Sequence, residues 1–146
     1  MGNNTTKGNF EVCKDAANQF YNVANWCSDK SLPDYIENTF YPFAVNAALS
    51  CELYFKAIMV YRSPDDEFFT GHDLRQLFNN LSKTDSQNIS QAFSLQYTAK
   101  TIETFLDENK DTFVDWRYAL EKKVTVNLSG FIALLSVLNT YVNSLK

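Results

Sequence analysis

Apolar residues recur every three or four positions along most of this chain, and that spacing predicts amphipathic α-helices. The first apolar stripe runs from Phe10 to Cys27, and Pro33 then marks a point that a helix does not cross. A short separate piece, Asp34 to Phe40, leads to Pro42, which is well suited to the first position of a helix. The segment from Pro42 to Tyr61 is apolar nearly all round, which is typical of the central helix of a bundle.

Two capping patterns predict where the next helices begin. Thr70 and Asp73 have the spacing of a capping box, with Asp73 in place of the usual Glu or Gln. Ser82 and Asp85 indicate another N-terminal cap. The remaining predicted segments are a short helix over 74–81, either one bent helix or two over 85–106, a helix over 111–123, an extended connector over 124–126 and a final helix over 128–145.

No segment alternates between apolar and polar residues over the length of a typical strand. We therefore expect an all-α protein, a single up-down bundle of about five or six helices with short connections. The bundle should occupy residues 10–146, and residues 1–9 should form a flexible or disordered lead-in. A length of 146 residues suits one domain with one buried core.

Charge and cysteine content narrow the expected partners and surroundings. The formal net charge of −4 disfavours a freely acting nucleic-acid binder, since non-specific affinity comes largely from cations that meet phosphates. Three cysteines without metal-ligand spacing or a secretory signal indicate reduced thiols and a cytoplasmic protein. We expect no metal and no other cofactor, because the sequence has neither a ligand cluster nor a phosphate-binding loop. The most apolar stretch contains Asn46, Glu52 and Lys56, so we expect no membrane span.

Two charged residues lie one turn apart in the helix that the pattern predicts to be most buried. Glu52 four residues before Lys56 is the favourable orientation for a helical ion pair. The pair is either a polar cluster that lines a site or the single wet edge of an amphipathic helix. His72 is the only histidine, and it lies in the first turn of a predicted helix. It serves either as a general base beside a second polar group or as a structural hydrogen-bonding residue.

Arg117 lies between two aromatic residues, with Glu121 one turn later. A guanidinium in this setting can stack on a ring and can hold a phosphate of RNA or of a nucleotide with two parallel hydrogen bonds. Its structural alternative is an ion pair with Glu52 or Glu121.

These polar residues belong to three runs that occur in a fixed order along the chain. The runs are AALSCELYFKA over 47–57, GHDLRQL over 71–77 and FVDWRYALE over 113–121. In this combination the chain resembles the HEPN domain (higher eukaryotes and prokaryotes nucleotide-binding). The first run is similar to helix two of that family, the second to its His-Asp-Leu helix start and the third to its late Arg-Tyr-x-x-Glu helix. The resemblance extends over about residues 40–123.

The resemblance implies a compact helical bundle that often forms homodimers. Many members are metal-independent endoribonucleases of toxin–antitoxin, abortive-infection or CRISPR defence systems, whereas others accompany a minimal nucleotidyltransferase or bind nucleotides. Catalytic members carry an Arg that stabilises phosphate charge, followed after a few residues by a His that helps to activate the ribose 2′-hydroxyl. Arg117 matches that arginine and is the candidate catalytic residue, but Lys122, Lys123 and Val124 occupy the positions of the histidine.

The resemblance also implies a polar network that holds the helices in register. Its candidate members are Glu52, Lys56, His72, Asp73, Arg117 and Glu121. Because the histidine of the ribonuclease motif is missing, we expect a non-catalytic HEPN-like protein that binds protein, nucleotide or RNA within a toxin–antitoxin or defence module. The expected partners are a second copy and a nucleotidyltransferase-type or antitoxin protein. Two alternatives are a divergent metal-independent endoribonuclease that uses Arg117 with Lys122 or His72, and a structural interaction module without a ligand.

Overall fold

The computed structural model describes residues 5–29, 35–110 and 128–146. Within these residues the protein is an all-α bundle with one very short β-ribbon, which confirms the predicted fold class. The predicted helix over 111–123 and the connector over 124–126 lie outside the described residues. The described elements are β1 (Thr5–Lys7), α1 (Phe10–Cys27), α2 (Tyr35–Arg62), β2 (Glu67–Phe69), α3 (Leu74–Asn79), α4 (Lys83–Gln96), α5 (Ile102–Asn109) and α6 (Leu128–Ser144).

Helix α2 is the central element, as its uniformly apolar sequence predicts. It packs against α1, α3, α6 and β2. Its fully buried side chains include Phe43, Tyr54, Phe55 and Ile58. The part of α2 from Phe40 to Arg62 is long and apolar enough to cross a membrane, but 72% of its most apolar window is buried inside the bundle. Such burial is typical of a core helix.

Pro42 lies inside α2, so the prediction of a separate piece over 34–40 followed by a new helix is wrong. A proline removes one backbone hydrogen bond from the interior of a helix, which is why the sequence favoured a helix start there. Burial of the following residues, Phe43, Ala44 and Ala47, outweighs that loss. The side-chain amide of Asn46, one turn later, donates to the carbonyl oxygen of Pro42 at 2.6 Å.

Small residues bring α1 close to α2. Ala17 and Ala24 of α1 are completely buried, and the Ser50 hydroxyl of α2 donates to the Ala17 carbonyl oxygen at 2.9 Å. The helix begins after Asn9, whose side chain accepts a hydrogen bond from the backbone N–H of Val12 at 3.0 Å. That cap satisfies one of the N–H groups that have no partner within the helix.

An antiparallel ribbon ties the N-terminal residues to the loop after α2. Strand β1 pairs with β2 so that Thr5 lies opposite Phe69, and the Gly8 N–H donates to the Asp66 carbonyl oxygen at 2.8 Å. A Cβ atom on Gly8 would lie 2.8 Å from Cε1 of Phe68, so a larger residue there would require the Phe68 ring to move. The sequence pattern gives no sign of the ribbon, because strands of three residues are too short to show alternation.

The caps of α3 and α4 show how far local patterns determine the helix ends. Asp73, and not Thr70, caps α3, because its carboxylate accepts from the backbone N–H groups of Arg75 and Gln76 at 2.9 and 3.2 Å. Ser82 caps α4, as its spacing to Asp85 predicts. A break between α4 and α5 resolves the choice in favour of two helices, and α5 continues to Asn109.

A half-buried polar cluster links α1, α2 and α6. The Tyr54 hydroxyl donates to Oδ1 of Asn18 at 2.6 Å and accepts from Nδ2 of Asn139 at 2.8 Å. Asn143 adds a further hydrogen bond to Asn18 at 3.0 Å. Burial raises the pKa of Tyr54 to about 12, so its hydroxyl remains a donor at neutral pH. Side-chain hydrogen bonds therefore specify how these three helices are aligned.

Replacement of Tyr54 by Phe should lower the free energy of unfolding by about 1 kcal/mol, because the half-buried amides of Asn18 and Asn139 each lose a hydrogen-bond partner. Urea denaturation followed by circular dichroism measures the change. Tyr61→Phe is the matched control, since its hydroxyl binds the terminal Lys146 carbonyl at the surface, and it should change stability by less than about 0.5 kcal/mol. Equal effects of the two substitutions would contradict the structural role of this cluster.

Candidate functional site

An ionic cluster, buried on α2 and exposed at its other end, is formed by Glu52, Lys56 and His72. Helix α2 places Glu52 and Lys56 one turn apart, with 3% and 6% of each residue exposed. Nζ of Lys56 donates to Oε2 of Glu52 at 2.8 Å, and Nδ1 of His72 lies 3.0 Å from the same oxygen. The His72 side chain is 57% exposed, so the cluster reaches solvent through the imidazole. The pair on α2 is therefore a buried cluster and not the wet edge of the helix.

The β-ribbon covers Lys56. The ring of Phe68, from β2, lies 5.5 Å from Nζ of Lys56, which is within the range of a cation–π interaction. The second carboxylate oxygen of Glu52, Oε1, is buried and has no hydrogen-bond partner among the residues that the structure describes. A buried carboxylate oxygen without a donor is energetically unfavourable, so Oε1 is an acceptor that none of the described side chains satisfies.

Of the other three predicted network residues, Asp73 alone belongs to the part of the chain that the structure describes. Asp73 follows His72 but uses its carboxylate to cap α3, so among the described residues it makes no hydrogen bond to the Glu52 cluster. Arg117, the candidate catalytic residue, and Glu121 lie outside the described residues. Three of the six predicted members thus form one cluster, in which Lys56 and His72 both contact Glu52.

A second ionic cluster, centred on the fully buried Asp85, is absent from the sequence-based predictions. Arg62, at the end of α2, donates from Nε to Oδ2 of Asp85 at 3.0 Å and from Nη2 to Oδ1 at 2.9 Å. The hydroxyl of Ser82 donates to Oδ2 at 2.8 Å, and the Tyr141 hydroxyl donates to Oδ1. The cluster therefore joins α2, α4 and α6. The spacing of Ser82 and Asp85 predicts the helix cap, but no local pattern points to Arg62.

Asp85 is held in its ionised form. Burial alone would raise its pKa, but hydrogen bonds from Arg62, Tyr141 and Ser82 outweigh that effect, so the pKa of Asp85 is lowered. The pKa of Arg62 is raised, mainly by its hydrogen bond to the same carboxylate. Burial, followed by the hydrogen bond to Asp85, raises the pKa of Tyr141, which keeps that hydroxyl a donor. All the charged groups of this cluster are therefore in their hydrogen-bonding forms at neutral pH.

A cavity of about 380 Å³ lies beside the second cluster. Its charged and polar lining residues include Arg62, Ser82, Asp85 and, from β2, Glu67. The apolar lining residues are Ile58, Met59, Phe68, Phe69 and Leu81. The cavity is open to solvent, and its volume is in the lower part of the range for small-molecule pockets.

The chemistry available at the two clusters differs. A carboxylate that holds one nitrogen of an exposed imidazole, as Glu52 holds His72, can support proton transfer at the other nitrogen. Arg62 can bind an anion at the second cluster, where the hydroxyls of Ser82 and Tyr141 are both engaged as hydrogen-bond donors to Asp85. Across residues 5–29, 35–110 and 128–146, no group of three or more His, Cys, Asp or Glu side chains is placed to hold a metal ion.

Comparisons of the chain with protein-family models, curated proteins and solved structures gave no significant match. The class of protein follows from the fold and its two ionic clusters. Over its described residues the chain is an all-α bundle whose central helix carries one buried ionic cluster near its middle and another at its C-terminal end.

Proposed function

We propose that this chain is a HEPN-like helical bundle protein that acts by binding and not by catalysis. The observation that supports this most directly is the contact between Glu52 and His72. It joins two of the three runs on which the family resemblance depends, the one in α2 and the one before α3. The same contact engages His72, the only histidine of the sequence. His72 precedes Arg117 in the chain, so no histidine stands at the motif position after Arg117.

The charge of the chain favours a protein partner over a long polyanion. Most non-specific affinity for nucleic acid comes from Lys and Arg side chains that neutralise phosphates, and this chain has a net charge of −4. A second copy and a nucleotidyltransferase-type or antitoxin protein of a defence module are the partners that the resemblance implies. A short nucleotide is compatible with the same charge, because a single arginine can bind one phosphate.

Wild-type protein should leave a broad panel of structured and single-stranded RNAs intact, because the general acid–base residue of the ribonuclease motif is missing. The assay is gel electrophoresis after incubation in EDTA, which removes any metal-dependent contaminant. Light scattering and affinity capture with the product of the adjacent gene test the binding role in the same preparation. RNA cleavage by the wild type that disappears in Arg117→Ala would contradict the non-catalytic proposal.

A second candidate function, a divergent metal-independent endoribonuclease, is favoured by one observation. The imidazole of His72 is held by a buried carboxylate and is 57% exposed, which is a suitable arrangement for a general base. In this case Arg117 would stabilise the phosphate, with His72 or Lys122 in place of the missing histidine. Cleavage should then fall by about 100-fold or more in His72→Asn or Lys122→Ala, whereas the control Lys123→Ala should retain activity.

A further inference from the structure

Arg62 is fixed in position but has hydrogen-bond donors left over. The guanidinium has five N–H groups, and its two hydrogen bonds to Asp85 use Nε and Nη2. Nη1 makes no hydrogen bond to the described residues, and the side chain is 45% exposed. The Cζ atom also lies 5.1 Å from the centre of the Tyr61 ring, which limits its movement.

The cavity beside Arg62 combines this donor with an apolar wall. Phe68 and Phe69 of β2, with Ile58, Met59 and Leu81, provide surface for a hydrophobic body. The Asp85 carboxylate also accepts hydrogen bonds from the hydroxyls of Ser82 and Tyr141, so Arg62 is not its only donor. An arginine that is already oriented by a carboxylate loses little side-chain entropy when it binds a ligand.

We propose that this cavity binds a small monocarboxylate with an apolar body, whose carboxylate accepts hydrogen bonds from the outer edge of Arg62. A planar carboxylate matches the planar guanidinium. A single negative charge fits better than a phosphate dianion, because Glu67 and Asp85 also line the cavity. None of Glu52, Lys56 and His72 lines it, so this proposal does not depend on the HEPN-like function.

The test titrates the wild-type protein with phenylacetate and with its neutral isostere phenylacetamide, and follows backbone ¹H–¹⁵N chemical shifts. Phenylacetate should bind at least about tenfold more tightly, with the largest shifts in β2 and around Ser82. Equal affinity of the acid and the amide would overturn the proposal, as would the absence of a saturable shift from the acid up to about 10 mM. Tighter binding of phenyl phosphate than of phenylacetate would also overturn it.

Two variants locate the binding at Arg62 without removing the charge that Asp85 needs. Arg62→Lys should weaken phenylacetate binding by about tenfold, since an ammonium lacks the planar pair of donors. Glu67→Gln should strengthen it by about twofold or more, since an exposed negative charge is removed from the lining. Arg75→Lys, outside the cavity, is the control and should bind like the wild type. Unchanged binding in Arg62→Lys, with folding verified by circular dichroism, would contradict the assignment.

Discussion

Replacement of Arg62 by Met should lower the free energy of unfolding by about 2–3 kcal/mol near pH 7. The reason is that Asp85 is completely buried. Its carboxylate would lose the cation that donates hydrogen bonds to both of its oxygens. Met preserves much of the apolar stem of the arginine, so the loss reports mainly on the charge. Urea denaturation followed by circular dichroism measures the change at a series of pH values.

The pH dependence of that loss has a definite sign. In the wild type the pKa of Asp85 is lowered, so this group stabilises the fold above its unfolded pKa of about 3.9, and the contribution disappears as the pH falls through the folded value. In Arg62→Met the protonated carboxyl is tolerated better than the ionised one. The difference in stability between the wild type and the variant should therefore shrink as the pH falls from 7 towards 4.

Arg75→Met provides the control for this experiment. Nε of Arg75 lies 3.8 Å from Oδ1 of the exposed Asp107, and such a pair contributes about 0–1 kcal/mol. A loss of less than about 1 kcal/mol in Arg62→Met, or a loss that is constant with pH, would show that Asp85 does not depend on Arg62.

Replacement of Lys56 by Met should also destabilise the fold by about 3–5 kcal/mol, since the buried carboxylate of Glu52 would lose its nearest cation. A second substitution, Glu52→Leu, should restore most of that stability. Buried ion pairs often contribute little compared with a well-packed apolar pair, whereas half of a pair is costly. A double-mutant cycle with denaturation of all four proteins gives the interaction energy.

Lys14→Met is the matched control, since Lys14 pairs with Glu11 at 3.1 Å and Glu11 is 68% exposed. It should change stability by less than about 1 kcal/mol. If Lys56→Met were no more destabilising than Lys14→Met, the cluster on α2 would be accessible to water in solution, contrary to the burial described here. The result bears on the architecture of the cluster and leaves the choice between binding and catalysis to the RNA assay.

Periodicity along the chain is sufficient to predict most of the fold. The stripe over 10–27 and the apolar run after Pro42 correspond to α1 and to most of α2, because packing and local spacing act in the same direction there. The start of α2 could not be predicted, since it depends on tertiary burial that outweighs the local effect of Pro42. The ribbon could not be predicted either, because its paired residues are far apart in the sequence: Thr6 lies opposite Phe68, 62 residues later.

The two ionic clusters show the same division between local and long-range information. Glu52 and Lys56 lie one helical turn apart, so their contact follows from the helix itself, and the resemblance to a family adds His72 as a candidate member. Asp85 and Arg62 are 23 residues apart on different helices. Each also has an ordinary local explanation, Asp85 in the first turn of α4 and Arg62 in the last turn of α2. Only the packing of those helices brings the two charges together.

The ribbon between β1 and β2 also has a consequence for the order in which the chain assembles during translation. Residues 5–7 leave the ribosome long before their partners at 67–69. At about 5–20 residues per second, the interval is about 3–12 s. Helix α2 ends at Arg62, five residues before β2, so the complete pair of helices α1 and α2 precedes β2 by about 0.25–1 s, which is still far longer than the microsecond in which a helix forms. The N-terminal strand can therefore pair with β2 only after both helices have formed, so the ribbon is a late addition to the helical core.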